Sequence, residues 1–357
     1  MLKKSNKAAN NFYTYPSNFL SRFSINIPLF LSLKKILLGE KFDLIVSRNY
    51  SSISFIPMLI CQIKQIRFGY IKAFPLSEFF DFQSRNANDL FHKLLYRFRY
   101  YSNSFFETII FKKANFIITR SDAFKEYLIK VYRISSQKII SIPMGFDFSN
   151  NKIKAFENDK VNQNTNAFRY SLLYFGSIEK IRNINFLLEI FEKTRLSLPE
   201  VNLTIIGGNI SETTNIKAEV KKMNLEKSIK ILENKPRDEL FELIRNSRIT
   251  ISAIPPYSFY IVSSPTKVLE SLGLGVPVVA NEEILDQKMV VEKSQGGILV
   301  KYDTQEFAKA IINLLKHDIE HTSQMGVLGA NYIKEERSYN SLALKLDKFL
   351  RIKIDER

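Results

Sequence analysis

Hydrophobic and polar positions follow two different periods along the chain, and together they predict short buried strands separated by amphipathic helices. In the C-terminal half, apolar and β-branched runs predict strands near residues 172–175, 203–206, 229–232, 249–252, 276–280 and 297–300. Stretches of helical period between them predict helices near residues 184–196, 237–246, 265–272 and 305–315. Because strands that alternate with helices are typical of a parallel, doubly wound sheet, we expect an α/β domain here.

The N-terminal half has the same pattern, with strands predicted near residues 44–47, 67–71, 116–119 and 139–142. A Rossmann-like domain commonly opens with a strand and a glycine-rich turn. Here the first glycine is Gly39, and no apolar strand precedes the helical pattern at residues 29–38. We therefore expect an abbreviated Rossmann-like domain that lacks its first β-α units.

A polar segment separates the two halves, and its Asn- and Lys-rich composition is typical of a linker. It predicts an N-terminal domain over residues 1–150, a linker over 151–167 and a C-terminal domain over 168–335. Residues 336–357 are predicted to form a helix that returns towards the N-terminal domain. A chain of 357 residues is the right length for two such domains.

The positive charge is concentrated in the first half of the chain. Of the net charge of +16, residues 1–150 carry +13, from 22 basic and 9 acidic residues. Such a surface attracts anions, which include lipid headgroups, phosphorylated substrates and nucleic acid. No recognisable nucleic-acid-binding module is present, which weakens the last of these.

Cysteine content and hydropathy both bear on the compartment. With Cys61 as its only cysteine, the chain forms no intrachain disulfide and no cysteine-based zinc cluster, which favours a reducing compartment. The longest apolar stretches, residues 25–33 and 53–63, are too short to span a bilayer, and the first residues lack the apolar run of a signal peptide. We expect a cytoplasmic protein.

One basic segment is strongly amphipathic. Residues 90–101 place apolar or aromatic side chains at positions 91, 94, 95, 98 and 101, interspersed with Lys93, Arg97 and Arg99. A helix of this kind is suited to an anionic membrane surface, although it could equally pack its apolar side on the domain core. Peripheral contact with the inner face of the membrane is our hypothesis for it.

The segment SSPTKVLESLGLGVPVV, residues 263–279, carries the clearest chemical signal. Ser264 suits an N-cap and Pro265 the first position of a short helix. The free N–H groups of that helix, with Lys267 in its first turn, would form an anion site able to hold a diphosphate. Glu270, on the same face, could accept hydrogen bonds from ribose hydroxyls. The alternative is an ordinary cap followed by a solvated Lys267–Glu270 pair.

This segment resembles glycosyltransferase family 4, the group 1 glycosyltransferases, whose members carry S-P-x-K-x-x-E followed by small residues and G-x-P-V-V. Further similar segments follow in the order of that family: FDLIVSR at 42–48, ANFIITRS at 114–121, IPMGFD at 142–147, YFGS at 174–177, LTIIGG at 203–208, KPRDEL at 235–240 and GILV at 297–300. Each is weak alone, and their order across most of the chain carries the resemblance.

The resemblance implies the GT-B fold, in which two Rossmann-like, doubly wound parallel-sheet domains face each other across a cleft. It implies a retaining hexosyltransferase that uses a UDP- or GDP-sugar and a glycan or lipid-linked acceptor, in synthesis of surface polysaccharide or another glycoconjugate. Neither a cofactor nor a metal is expected, because basic side chains and a helix N-terminus would balance the phosphate charge.

The site residues transfer onto matching positions of this chain. The resemblance assigns catalysis to Lys267, Glu270 and Arg182. Contacts with the donor nucleotide sugar are expected from Gly176, Ser177, Arg182, Gly207, Lys235, Ser263, Ser264, Pro265, Thr266, Lys267 and Glu270. Arg48 and Arg120, which follow predicted N-terminal strands, are candidate acceptor or phosphate contacts, and ordinary surface arginines are the alternative.

One departure from the family keeps other functions open. The E-x7-E motif of the family would place its first glutamate at position 262, where this chain has Val262. A catalytically silent GT-B scaffold is therefore one alternative. A nucleotide-sugar 2-epimerase is another, although it would need further acid-base residues, usually histidines. His317 and His321, four residues apart on a predicted surface segment, are not expected to bind metal.

Overall fold

A computed structural model describes residues 42–149 and 166–355 of the chain. The predicted linker falls almost entirely outside these residues. So does the segment before residue 42, on which the expectation of missing first β-α units depends. Two compact units are present: one ends at Ile142 and includes the chain again from Lys345, and the other is Pro143–Leu344.

The first unit contains a four-stranded parallel sheet with strand order β1-β2-β3-β4. Its strands are β1 Leu44–Arg48, β2 Arg67–Lys72, β3 Phe116–Thr119 and β4 Ile139–Ser141. Its helices are α1 Ser51–Ile63, α2 Leu76–Arg85, α3 Leu90–Lys113 and α4 Asp122–Tyr132. Every residue of β3 is buried, as expected of an inner strand of a parallel sheet.

A buried ion pair between Lys72, at the end of β2, and Glu107 of α3 joins that helix to the sheet. Glu107 also accepts hydrogen bonds from Ser77 Oγ at 2.9 Å, Tyr132 Oη at 3.1 Å and Asn103 Nδ2 at 2.7 Å. Burial of a carboxylate is tolerated when such donors replace its hydration. The C-terminal part of α3 is therefore fixed on the unit from several sides.

The second unit contains a six-stranded parallel sheet with strand order β10-β9-β8-β5-β6-β7. Its strands are β5 Ser171–Phe175, β6 Asn202–Ile206, β7 Ile229–Leu232, β8 Ile249–Ser252, β9 Val278–Asn281 and β10 Gly297–Val300. Its helices are α5 Asn166–Arg169, α6 Ile184–Ser197, α7 Ile210–Lys222, α8 Arg237–Arg245, α9 Ser258–Ile261, α10 Thr266–Gly273, α11 Leu285–Ser294, α12 Thr304–Lys316 and α13 Ile319–Glu336. The last helix, α14 Tyr339–Asp355, begins in this unit and continues into the first.

Side chains of β5 alternate between two apolar cores, one on each face of the sheet. Leu172 and Tyr174 belong to one core, whereas Leu173 and Phe175 belong to the other. Strand order reverses between β5 and its neighbour β8, which makes this the topological switch point of the sheet. The doubly wound arrangement predicted from the alternation of strands and helices is thus confirmed, as are all ten predicted strands, each to within two residues at either end.

In the second unit, the three longer helices α7, α11 and α13 were not predicted. Within residues 42–149 and 166–355, none of the helices combines the length and the apolar character needed to span a membrane.

Candidate functional site

A cavity of about 260 Å³ lies at the carboxyl ends of the strands of the second unit, at the switch point. Ligands of open parallel sheets bind in the crevice at this place. The cavity is lined by Phe175, Gly176, Ser177, Arg182, Ile206, Asn234, Lys235, Leu240, Ile254, Pro265, Thr266, Lys267 and Glu270. Eight of the predicted donor-site residues are therefore brought together here.

The N-terminus of α10 faces this cavity through Pro265 and Thr266. Its N-cap is Pro265 and no side chain caps it, so the prediction that Ser264 is the N-cap is wrong. Ser264 lies two residues before the first helical residue, and its hydroxyl instead donates to Asp286 Oδ2 at 2.5 Å and accepts from Met144 N at 3.1 Å. The first-turn N–H groups of α10 consequently keep their capacity to bind an anion.

Lys267 extends from the first turn of α10 into the cavity wall, where it is only 9% exposed. Its Nζ has no hydrogen-bond partner within the described part of the chain and lies 3.8 Å from the centroid of the Tyr174 ring. Burial, with the nearby positive charge of Arg182, holds the pKa of Lys267 well below its usual range, and Glu270 opposes the shift. A buried ammonium without a hydrogen-bond acceptor is costly, so the site favours an anion beside it.

Two glycines make room for this lysine. Gly176 has φ +115°, and a Cβ there would lie 2.6 Å from Lys267 Cε. At Gly207 a Cβ would lie 1.9 Å from the carbonyl oxygen of Gly176. Gly207 is not among the lining residues and shapes the cavity through the turn at Gly176, and its contact with the donor stays a prediction.

Arg182 and Lys235 bring two more positive charges to the cavity. Arg182 ends the 3-10 turn that precedes α6, and its Cζ lies 4.2 Å from the centroid of the Tyr260 ring, a cation-π contact. Lys235 precedes α8 and pairs with Glu239 at 3.2 Å. With Lys267 they surround the cavity with cations on three different elements, as a polyphosphate would require.

Glu270 is the acidic residue of the lining. Burial raises its pKa to about 7, against the lowering effects of Arg237 and Lys267. Near neutral pH its carboxyl group is therefore partly protonated and can both donate and accept hydrogen bonds. The alternative of a solvated Lys267–Glu270 surface pair is excluded, because Lys267 is buried.

Two predicted contacts lie next to the cavity rather than in its wall. Ser263 Oγ donates to the carbonyl oxygen of Tyr260 at 2.6 Å, and Ser264 is bound to Asp286 as described. Val262, at the position that departs from the family motif, is buried and also does not line the cavity.

Arg48 and Arg120 belong to the first unit. Arg48 is the last residue of β1 and is exposed, while Arg120 directly follows β3 and is partly buried. Both stand at the carboxyl ends of parallel strands, and their role towards an acceptor stays a prediction.

Five residues of the lining were not among the predicted site residues. Four are apolar, Phe175, Ile206, Leu240 and Ile254, and the fifth is the polar Asn234. Phe175 and Ile206 are the last residues of β5 and β6, and Ile254 comes two residues after β8. Applying the switch-point rule to the predicted strands would have found these three.

His317 and His321 have ring centroids 4.5 Å apart. Across residues 42–149 and 166–355, no group of three or more His, Cys, Asp or Glu side chains is placed to hold a metal ion.

The family model for glycosyl transferases group 1 matches residues 155–351, more than half of the chain. Sucrose-phosphate synthase from Thermosynechococcus elongatus is 16% identical with a TM-score of 0.65, over 97% of this chain and 82% of that chain. HepE from Anabaena, solved with UDP-glucose, is 17% identical with a TM-score of 0.65, over 90% of this chain and 82% of that chain. No curated protein sequence matches significantly. The likeness to these structures confirms the predicted GT-B fold class.

Proposed function

Because the chain belongs to the group 1 glycosyl transferases, we propose that it transfers a hexosyl group from a UDP- or GDP-sugar to a glycan or lipid-linked acceptor, with retention of anomeric configuration. One observation carries this proposal: the buried Nζ of Lys267 has no hydrogen-bond partner among the residues that the structure describes, and it lies beside the uncapped N-terminus of α10. HepE, which shares the fold, has been solved with UDP and with UDP-glucose, which supports a nucleotide sugar as donor.

The proposed role of the cations is to stabilise the leaving group. As the bond between the sugar C1 and the β-phosphate oxygen breaks, its electron pair passes to the diphosphate. The acceptor hydroxyl oxygen bonds to C1, and its proton passes to the departing phosphate. Lys267, Arg182 and the N–H groups of α10 would stabilise the developing negative charge, which is where preorganised donors contribute most to rate.

The nucleoside would occupy the rest of the cavity. Glu270 lies one turn along α10 from Lys267, so its carboxyl group can bind ribose hydroxyls while the helix N-terminus holds the phosphates. The apolar side chains of Ile206, Leu240 and Ile254 would contact the flat base. This division of polar and apolar lining is usual in nucleotide sites.

We further propose that these side chains, and no divalent cation, balance the diphosphate charge. Support comes from the three basic residues around the cavity, Arg182, Lys235 and Lys267. Transfer from the preferred donor should then be unchanged by excess EDTA, and loss of activity that added Mg²⁺ or Mn²⁺ restores would contradict it.

The donor proposal is tested by calorimetric binding of UDP and GDP and by turnover of a panel of UDP- and GDP-hexoses. Lys267→Ala and Glu270→Gln should each weaken nucleotide binding, whereas the exposed matched controls Lys221→Ala and Glu226→Gln should leave it unchanged. Binding without turnover on any donor would favour the silent scaffold suggested by Val262. Failure to bind any nucleotide would refute the assignment of the site.

A further inference from the structure

Helix α3 displays a stripe of large apolar side chains to solvent along its N-terminal two thirds. The stripe consists of Phe91, Leu94, Phe98, Tyr101 and Phe105, which are between 57% and 72% exposed. Their spacing of three and four residues places them on one side of the helix. Because soluble proteins rarely expose so many aromatic residues together, the stripe indicates an interaction surface. We propose that α3 docks this protein on the surface of an anionic lipid bilayer.

The length and direction of the stripe suit binding parallel to a membrane. From Phe91 to Phe105 the helix rises about 21 Å at about 1.5 Å per residue. The other side of α3 packs against α1 and α2, and Glu107 fixes its C-terminal part through the buried pair with Lys72. The helix therefore cannot leave the unit to cross the bilayer, and only its exposed side can enter the interface, as in monotopic amphipathic helices.

The charges around the stripe identify the partner. Between Leu90 and Phe106 the helix contains Lys93, Arg97 and Arg99 and no Asp or Glu. Lys93 and Arg99 are exposed, and Arg97, half exposed, is within 4.0 Å of Asp81. Basic side chains that flank exposed aromatic ones are suited to the headgroup region of an anionic leaflet.

A second copy of the chain is the competing occupant, because spacings of three and four also occur at helix-helix seams. Pairing two such helices would bring the basic residues of both copies together, and residues 90–106 of neither helix include an Asp or Glu to compensate them. Glu107, the one acidic residue of α3, is buried and already paired. Charge complementarity therefore favours lipid over self-association.

Co-sedimentation of the full chain with two kinds of vesicle tests the proposal, which does not depend on the transfer reaction. One kind is phosphatidylcholine alone and the other is phosphatidylcholine mixed with phosphatidylglycerol. We expect binding to the mixed vesicles, weakened by salt, and little binding to the neutral ones. Lys93→Glu/Arg99→Glu should weaken binding by about fivefold or more for each position, from the loss of attraction to the surface.

A second pair of variants tests the apolar part of the surface. Phe91→Ser/Phe98→Ser should lower vesicle binding by about tenfold or more, since two aromatic side chains no longer enter the interface. Matched controls change exposed residues of the second unit: Lys221→Glu/Lys227→Glu for charge and Leu196→Ser/Ile210→Ser for apolar area. These controls should bind as the wild type does, and circular dichroism checks that every variant is folded.

Three outcomes would overturn the proposal. The first is absence of binding to anionic vesicles. The second is equal loss of binding in the α3 variants and the controls. The third is a dimer, seen by analytical ultracentrifugation, that dissociates in Phe91→Ser/Phe98→Ser, which would assign the stripe to a second copy.

Discussion

The lowered pKa of Lys267 predicts that the protein takes up a proton as a nucleoside diphosphate binds. In the free protein, burial and Arg182 disfavour the charged ammonium. A bound diphosphate would favour that charge and raise the pKa of the lysine. Between the free and bound pKa values, the free lysine is neutral and the bound one charged. Within this window up to one proton is taken up for each UDP bound.

The sign of the pH dependence follows from this linkage. Below the free pKa of Lys267 the ammonium is present before and after binding, so affinity does not depend on it. Above that pKa, affinity should fall by up to about tenfold for each unit of pH, since one proton must be taken up. Replacement of the lysine removes a charge-assisted hydrogen bond of about 1.5–3 kcal/mol, which corresponds to about 10- to 150-fold weaker binding.

Isothermal titration calorimetry in buffers of different ionisation enthalpy measures the proton uptake directly. Titrations at several pH values above about 8, where the phosphates of UDP are ionised and do not titrate, show where the lysine is neutral in the free protein. Glu270, whose pKa is raised to about 7, is a second possible source of uptake, and Glu270→Gln removes it. We expect proton uptake on UDP binding in the wild type and in Glu270→Gln, and no proton uptake from this source in Lys267→Met. Equal uptake in Lys267→Met and wild type, or affinity that rises with pH, would refute the reasoning.

Two further predictions concern residues that shape or support the site, Gly176 and the buried Asp286–Arg337 pair. Gly176→Ala should weaken UDP binding by about tenfold or more in calorimetry, because its Cβ would displace Lys267 and its φ of +115° is strained for alanine; unchanged affinity would contradict the role given to this turn. Asp286→Ala should lower the free energy of unfolding in urea by about 3–5 kcal/mol, because Arg337, only 4% exposed, loses its carboxylate partner at 2.7 Å. The exposed Asp347 serves as control: Asp347→Asn should cost at most about 1 kcal/mol, and equal effects of the two changes would refute the distinction.

The sequence predicted those parts of the fold that local chemistry determines. Buried parallel strands are short apolar runs, and all ten were found. Glycines and a proline marked the turns around α10. The helices α7, α11 and α13 were missed, and the pattern of α11 shows why: Asp286 and Gln287 are buried in it. Buried polar residues of this kind erase the amphipathic period on which helix prediction relies.

The candidate site was predicted by residue type and only partly by geometry. The sequence indicated that Lys267 and Glu270 share a helix face, but an exposed ion pair and a buried lysine have the same local pattern. Which one forms depends on Gly176 and Tyr174, more than 90 residues away. The cap assigned to Ser264 failed for a similar reason, because its partner Asp286 comes from α11.

The contacts of Ser264 show how α10 is held in position. Ser264 lies just before the N-cap of α10 and donates to Asp286, which in turn pairs with Arg337, the residue that follows α13. The carbonyl oxygen of Arg337 accepts from the N–H of Phe146 at 2.8 Å, and the ring of Phe146 packs in the apolar core that includes the inner side of α10. A helix N-terminus holds an anion well only if its N–H groups are fixed in direction. The buried network around Asp286 holds α10 in this way, and Asp286, Arg337 and Phe146 do not line the cavity. We therefore expect substitutions in it to reduce stability and nucleotide affinity together, whereas Lys267→Ala should reduce affinity with little effect on stability.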